Sequence, residues 1–159
     1  MRPANTAAIC LSLLDYTRLN ESDSEKMMNK WLVDGLSVGK VASFCIYPKF
    51  VQTARDILPQ STKITTVINF PGGNEPDLKI LQDLKNALEW GADEIDMVFP
   101  YQAYLNGHKA SALGMVSAVK ALLGNGLLKV ILETGAIARP KTIEEMALGV
   151  LNQGAHFIK

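Results

Sequence analysis

Short apolar runs alternate with longer segments of helical period from one end of the chain to the other. The runs at residues 13–16, 41–46, 64–70, 94–99, 128–133 and 156–159 have the length and aliphatic content of buried strands. The segments between them carry helix start and stop signals. Ser22 or Asp23 is placed to cap a helix reaching about Asp34, with Gly35 as its stop, and Pro48 opens another that extends to Leu58. Asn74 or Asp77 leads a third helix, whose apolar face is Leu78, Leu81, Leu84 and Leu88 and whose stop is Gly91. A fourth covers about residues 111–123, Thr142 caps a fifth ending near Gly154, and an additional helix from about Asn5 precedes the first strand.

Repeated strand-helix units build a parallel sheet, because a strand returns parallel to its predecessor only through a long crossover. Strand centres near residues 14, 44, 66, 96, 131 and 157 advance by about 29 residues per unit. Eight such units would occupy roughly 230 residues, the size of a (β/α)8 barrel, and the 159 residues supply five and a half of them. The chain therefore reads either as an open doubly wound α/β sheet, a flavodoxin-like ligand-binding domain, or as about the first six strands of a TIM-type barrel. Length alone favours the open sheet. No linker or low-complexity segment divides the series, so residues 1–159 read as one domain, incomplete if it is a barrel.

An internal echo favours the barrel. Gly91-Ala92-Asp93-Glu94-Ile95-Asp96 matches Gly154-Ala155-His156-Phe157-Ile158-Lys159, two units later. Strands begun in the same way on alternate units share an interior layer in a barrel, which would set Asp96 and Lys159 at one level. Parity adds a third group: in residues 128–133, Leu128, Val130 and Leu132 share the face that suits a helix layer, so Lys129, Ile131 and Glu133 face the interior. As the outermost members of such a sheet, residues 13–16 and 156–159 would leave backbone groups open to pairing with another chain, and Ile131 and Phe157 would form an interior apolar face open to water. Self-association of a catalytically inactive fragment follows from that reading.

Two interior lysines beside an aspartate suggest amine chemistry. A lysine of ordinary pKa, about 10.4, is neutral in roughly 0.04% of molecules at pH 7, whereas a pKa of about 7 makes half of them nucleophilic. Burial and a second cation produce such a depression, so Lys129 is expected to lower the pKa of Lys159 while Asp96 relays protons. The rest of the sequence offers little competition. Gly72-Gly73 reads as a flexible strand-to-helix loop and His108, after Asn106-Gly107, as a solvated turn residue.

Composition removes several alternatives. The chain is 48% apolar and 20% charged, a globular balance, and sixteen basic against sixteen acidic residues give no support for a nucleic-acid or membrane partner. Cys10 and Cys45 have neither disulfide-framework nor zinc spacing, and no carboxylate/His cluster has metal-ligand spacing, so neither a metal nor another cofactor is expected and the compartment reads as cytoplasmic. Arg2 followed by the apolar run 7–14 faintly suggests a signal peptide, but Ser12 interrupts the run.

Six ordered motifs carry a resemblance: Leu14-Asp15-Tyr16-Thr17-Arg18-Leu19-Asn20, Cys45-Ile46-Tyr47-Pro48, Asn69-Phe70-Pro71-Gly72-Gly73, Asp93-Glu94-Ile95-Asp96-Met97-Val98-Phe99-Pro100, Lys129-Val130-Ile131-Leu132-Glu133-Thr134 and the terminal Gly154 to Lys159. In order and spacing they resemble deoxyribose-phosphate aldolase over nearly the whole chain. The resemblance implies a (β/α)8 barrel and a metal-free class I aldolase that cleaves 2-deoxyribose 5-phosphate reversibly to acetaldehyde and glyceraldehyde 3-phosphate. It further implies that Lys159 is the Schiff-base lysine, Asp96 the proton-shuttling carboxylate and Lys129 a lysine tied to Asp96. Asp15, Thr17, Asn20 and Cys45 match positions lining the same cavity. In the family, a second catalytic lysine and Gly-rich phosphate-binding loops follow the Schiff-base lysine, past the position that Lys159 matches.

Overall fold

The computed structural model describes residues 3–159, with side chains from Thr6 onward, so Arg2 lies outside the described residues. Helix α1 (Pro3–Ser12) precedes strand β1 (Asp15–Arg18), followed by α2 (Glu25–Leu36), β2 (Ser43–Ile46), α3 (Val51–Ile57) and β3 (Ile64–Ile68). Then come α4 (Asp77–Glu89), β4 (Glu94–Val98), α5 (Tyr101–Leu105), α6 (Lys109–Leu123), β5 (Leu127–Ile131), α7 (Pro140–Asn152) and β6 (Phe157–Ile158). All six strands are parallel and neighbours in space follow chain order, β1-β2-β3-β4-β5-β6. A doubly wound sheet reverses direction after its first strand. The flavodoxin-like alternative is thereby excluded.

The sheet is curled into a partial barrel. Four strand spacings separate β1 from β5, roughly 19 Å in a flat sheet, yet Lys129 Nζ lies 2.9 Å from Asp15 Oδ2. Only strong curvature brings those side chains across the concave face.

Packing on the convex face falls into two apolar clusters. In the first, Met28 and Leu32 of α2 and Val51 and Ala54 of α3 bury Phe44, Ile46 and Ile64. Tyr16 and Trp31 stack at 4.5 Å between ring centroids, with Phe44 edge-on to both. In the second, helices α4, α6 and α7 cover Ile95, Met97, Leu128 and Val130, all fully buried. Burying such side chains contributes about 1.5–3 kcal/mol each relative to exposure. These apolar positions alternate with polar ones on the concave face, as strand period dictates. Among the described residues no helix is long and apolar enough to cross a membrane.

Several boundaries differ from expectation for identifiable reasons. The first strand begins at Asp15 rather than residue 13, because Leu13 and Leu14 precede the first ladder pair and are exposed. Ser24, not Ser22 or Asp23, caps α2 by accepting from the Met27 amide, while Asp23 is committed to Arg18. Gly35 lies inside α2, where a Cβ would sit 2.6 Å from the Phe44 ring: it permits packing rather than stopping the helix. Leu78 is 83% exposed, whereas Leu81, Leu84 and Leu88 of the expected face do pack on the core, joined by Ile80 and Ala87. Pro140 rather than Thr142 opens α7. The 72–73 pair is held rather than loose, since Gly73 has φ +69° and comes so close to the Phe99 carbonyl that a Cβ would meet it at 2.7 Å. His108 is exposed at the start of α6, in keeping with a solvated residue.

Candidate active site

The concave face gathers charge. From β1 comes Asp15, from β4 Glu94 and Asp96, from β5 Lys129, and just after β6 Lys159. Lys159 is positioned by the ladder itself: its amide donates to the Val130 carbonyl at 2.8 Å and its carbonyl accepts from Leu132 at 3.0 Å. Its Nζ lies 2.6 Å from Asp96 Oδ2 and 3.5 Å from Asp15 Oδ2.

Hydrogen-bond register and height are distinct quantities in a staggered sheet. Register pairs Asp96 with Lys129 and Lys129 with Phe157, which leaves Lys159 two residues further along. A shear of 8 over eight strands staggers neighbours by about one residue each, so two strands restore Lys159 to the height of Asp96. The alternate-strand expectation holds for that reason.

Lys129 is nearly enclosed. Its Nζ is 2.9 Å from both Asp15 Oδ2 and Glu94 Oε2, 3.2 Å from Thr65 Oγ1 and 3.2 Å from Asp96 Oδ1. An ammonium has three protons, and four oxygens surround this one. Asp96 Oδ1 is the buried oxygen left without an aligned donor. Beneath the lysines, Ser43 Oγ donates to Asp15 Oδ1 at 2.7 Å, and Thr65 Oγ1 lies 2.7 Å from Ser43 Oγ and 3.0 Å from Glu94 Oε2.

This curled parallel sheet has known counterparts. Residues 9–158 match the DeoC/LacD family aldolase family. The chain belongs to that family. Among solved structures similar to this DeoC/LacD chain, a protein provisionally named a deoxyribose-phosphate aldolase from Coccidioides immitis is 26% identical, with a TM-score of 0.87 over 96% of this chain and 59% of that one. The fold is likewise that of QR15, an aldolase, at 23% identity and a TM-score of 0.85 over 93% of this chain and 66% of the other. It is also that of a tetrameric deoxyribose phosphate aldolase from Aeropyrum pernix, at 23% identity and a TM-score of 0.83, over 97% of this chain and 64% of that one. The chain spans about three-fifths to two-thirds of the length of these structures.

The structure of this DeoC/LacD chain brings five of the seven expected residues together: Asp15, Cys45, Asp96, Lys129 and Lys159. Thr17 lies in register with Cys45 but is exposed, and its hydroxyl turns back to the Asp15 carbonyl. Asn20 is not at the cluster; its side chain accepts from the Ser22 amide and hydroxyl. The sequence reading missed Ser43, Thr65 and Glu94. A signal existed, because Ser43 and Glu94 each sit two residues before an expected site residue on the same strand face, and Thr65 pairs with Cys45 in register. A separate cavity of about 420 Å³ near Tyr47, Phe70 and Trp90 contains none of these residues.

The electrostatics reverse one expectation. Burial pulls the Lys159 amine down, but the hydrogen bond and charge of Asp96, with Asp15 behind it, outweigh burial and hold it above the ordinary lysine value. Lys129 is opposed by burial in the same way and likewise ends above the lysine range, through Asp96, Glu94 and Asp15. The net shift of Lys159 is therefore upward, set by Asp96 and Asp15, and the expected depression is absent. Burial raises Asp15, but hydrogen bonds from Ser43 and Lys129 and the charges of both lysines bring it below the usual carboxylate range. Burial, reinforced by the Asp96 charge, pushes the Cys45 thiol up to about 12, so it is protonated at neutral pH.

Proposed function

We propose that this chain carries the Schiff-base centre of a class I aldolase acting on 2-deoxyribose 5-phosphate. The observation that carries the reading is the 2.6 Å contact between Lys159 Nζ and Asp96 Oδ2 on the concave face of a DeoC/LacD barrel. The name of the Coccidioides immitis structure supports the substrate class. The products are acetaldehyde and glyceraldehyde 3-phosphate, the partners are small phosphorylated sugars and aldehydes, and side chains carry each step.

The resting Lys159 is an ammonium and has no lone pair. Its short contact with Asp96 gives one proton a direct path to a carboxylate. The freed amine attacks the substrate aldehyde carbon to give a carbinolamine, and protonation of the departing hydroxyl releases water and leaves an iminium. The iminium accepts the electron pair of the breaking carbon-carbon bond as a base removes the proton from the substrate's hydroxyl. Asp96, 1% exposed by side chain, keeps Lys129 at 3.2 Å to hold the carboxylate in place through each transfer. The resemblance alone assigns Thr17 and Asn20 to substrate contact, since neither side chain reaches the cluster, and the thiol of Cys45 closes the wall beside Asp96 at 4.0 Å.

Incubation with acetaldehyde and borohydride tests the reading. One ethyl group is expected on Lys159, detected by mass and peptide mapping, and Lys159→Leu is expected to abolish it. Labelling that persists on another lysine in that variant would assign the nucleophile elsewhere.

A further inference from the structure

Four oxygens run in a line beneath the two lysines: Asp15 Oδ1, Ser43 Oγ, Thr65 Oγ1 and Glu94 Oε2, spaced 2.7, 2.7 and 3.0 Å. Ser43 and Thr65 are fully buried, so no bulk water competes for these contacts. Each contact between two oxygens needs one proton, and the line has three contacts. The hydroxyls supply two, since serine and threonine carry one proton each. With both carboxyls ionised, one contact would set two lone pairs against each other.

Charge leads to the same count independently. The groups that face this line are Asp15 from β1, the protonated Cys45 from β2, Glu94 and Asp96 from β4, Lys129 from β5 and Lys159 after β6. With all three carboxyls ionised, two ammoniums would leave one unbalanced negative charge in a cluster that is enclosed at Asp96, Lys129, Glu94 and Asp15, at most 18% exposed by side chain, and open only at Lys159, at 38%. Burying a net charge is costly. One additional proton both completes the line and neutralises the cluster.

We propose that Ser43 and Thr65 form a hydroxyl relay that holds one proton shared between Asp15 and Glu94. In one state Glu94 carries the proton, donates to Thr65, Thr65 donates to Ser43 and Ser43 donates to Asp15, which is anionic beside Lys159. In the other state, reached only transiently because Ser43 and both lysines favour an ionised Asp15, the three protons have each moved one step: Asp15 is neutral and donates to Ser43, Ser43 donates to Thr65, Thr65 donates to Glu94, and the negative charge sits beside Lys129 on Glu94. No proton is gained or lost and no bond between heavy atoms changes. The effect is to remove a counter-charge from Lys159 when its amine must become neutral, which answers the Asp96 and Asp15 charges that hold it protonated at rest. Lys129, in contact with both ends, stabilises whichever carboxylate is ionised. This role for the relay rests on the Schiff-base reading, whereas the shared proton does not. Ser43 and Thr65 are positioning residues, since neither touches the reacting amine.

Infrared difference spectroscopy of the purified protein in D2O at neutral pH tests the shared proton. The carbonyl stretch of a protonated carboxylic acid is expected in the unmodified protein and is expected to vanish in Glu94→Gln and in Asp15→Asn, because each amide supplies a donor and removes one negative charge. No such band in the unmodified protein, or a band that survives in either variant, overturns the proposal. The relay is read from the pH midpoint of acetaldehyde trapping by borohydride. Thr65→Val should move that midpoint upward by about one unit, the scale of an opposite charge left beside an amine, and Thr65→Ser should restore it. Ser43→Ala interrupts the line at a second point and should shift the midpoint in the same direction if Thr65→Val fails to fold. An unchanged midpoint in a folded, interrupted variant overturns the relay. Trapping without the infrared band removes the shared proton and leaves the Schiff-base reading intact; the band without trapping does the reverse.

Discussion

Asp93 and Asp96 stand three residues apart, each with two cations, and they serve different ends. Asp93 Oδ2 is 2.6 Å from Arg55 Nη2 and accepts from the Ile64 backbone amide at 3.0 Å, while Oδ1 takes Lys63 at 3.0 Å. Arg55 also donates to the carbonyls of Gly91 and Thr62, so the carboxylate ties the entry of β3 to the entry of β4. Every oxygen there has a donor, one of them fixed in the backbone. Asp96 relies on side chains, two lysines and the weakly donating Cys45 thiol, and keeps one buried oxygen without an aligned partner. A carboxylate satisfied by the backbone cannot easily take up a proton, because doing so would forfeit bonds that organise the fold. One held by side chains alone, two lysines and the Cys45 thiol, can exchange protons without disturbing the strands.

Opposite mutational signatures would sharpen this contrast. Asp96→Asn should slow aldehyde trapping by at least about 100-fold, the lower end of a general acid-base contribution, with the circular dichroism spectrum retained; trapping within a few-fold of the unmodified protein would break the comparison. Asp93→Asn should leave trapping by the folded protein nearly unchanged and lower stability by about 1–3 kcal/mol, the scale of a partly buried polar network left incomplete. Urea midpoints of the two variants measure the crossing, and a larger loss in Asp96→Asn than in Asp93→Asn would contradict the assignment.

Acid adds a smaller effect with a definite sign. Burial raises Asp93, but the Ile64 amide, Lys63 and Arg55 bring its carboxyl below the ordinary range. A group whose pKa is depressed on folding contributes stability above the unfolded value, about 3.9, and loses that contribution as pH falls through the folded value. The stability gap between the unmodified protein and Asp93→Asn should therefore be constant at neutral pH and narrow below about pH 4. Urea titrations at descending pH would show it, and a gap independent of pH would refute it. Smallest of all, Asp34→Asn breaks an exposed ion pair with Lys30 and should change stability by less than about 0.5 kcal/mol. A larger change would mean that ion pairs in this protein are ranked by something other than enclosure.

The contrast between the two aspartates was only half visible in the sequence. Strand parity alone turned Lys129 inward, and the repeated Gly-Ala opening placed Asp96 and Lys159 on alternate units. The donors to Asp93 come from α3, from the start of β3 and from the residue before it, which no local period around residue 93 reveals. Helix ends failed for a related reason. Ser22, Asp23 and Ser24 are all competent caps, and the choice fell to Ser24 because Asp23 is taken by Arg18 across the loop. Leu78 fits the apolar period of α4, yet it lies in the first turn and stays exposed, while Ile80, Leu81, Leu84, Ala87 and Leu88 pack on the core.

By itself the sequence determined the order of the six strands and of every helix but the short α5, the alternation that divides each strand into a helix-facing and a concave side, and the identity of the three groups at the centre of the proposed chemistry. Those depend on periods of two and 3.6 residues and on local turn residues, which operate within one element. Whether the sheet curls, which height Lys159 reaches and how many carboxylates surround it were decided by tertiary structure. Asp15 approaches Lys129 across four strand spacings, and Glu94 comes within 2.9 Å of the same amine. A lysine's charge state follows the distance to such partners, and that distance is set by curvature and stagger rather than by anything within its own strand.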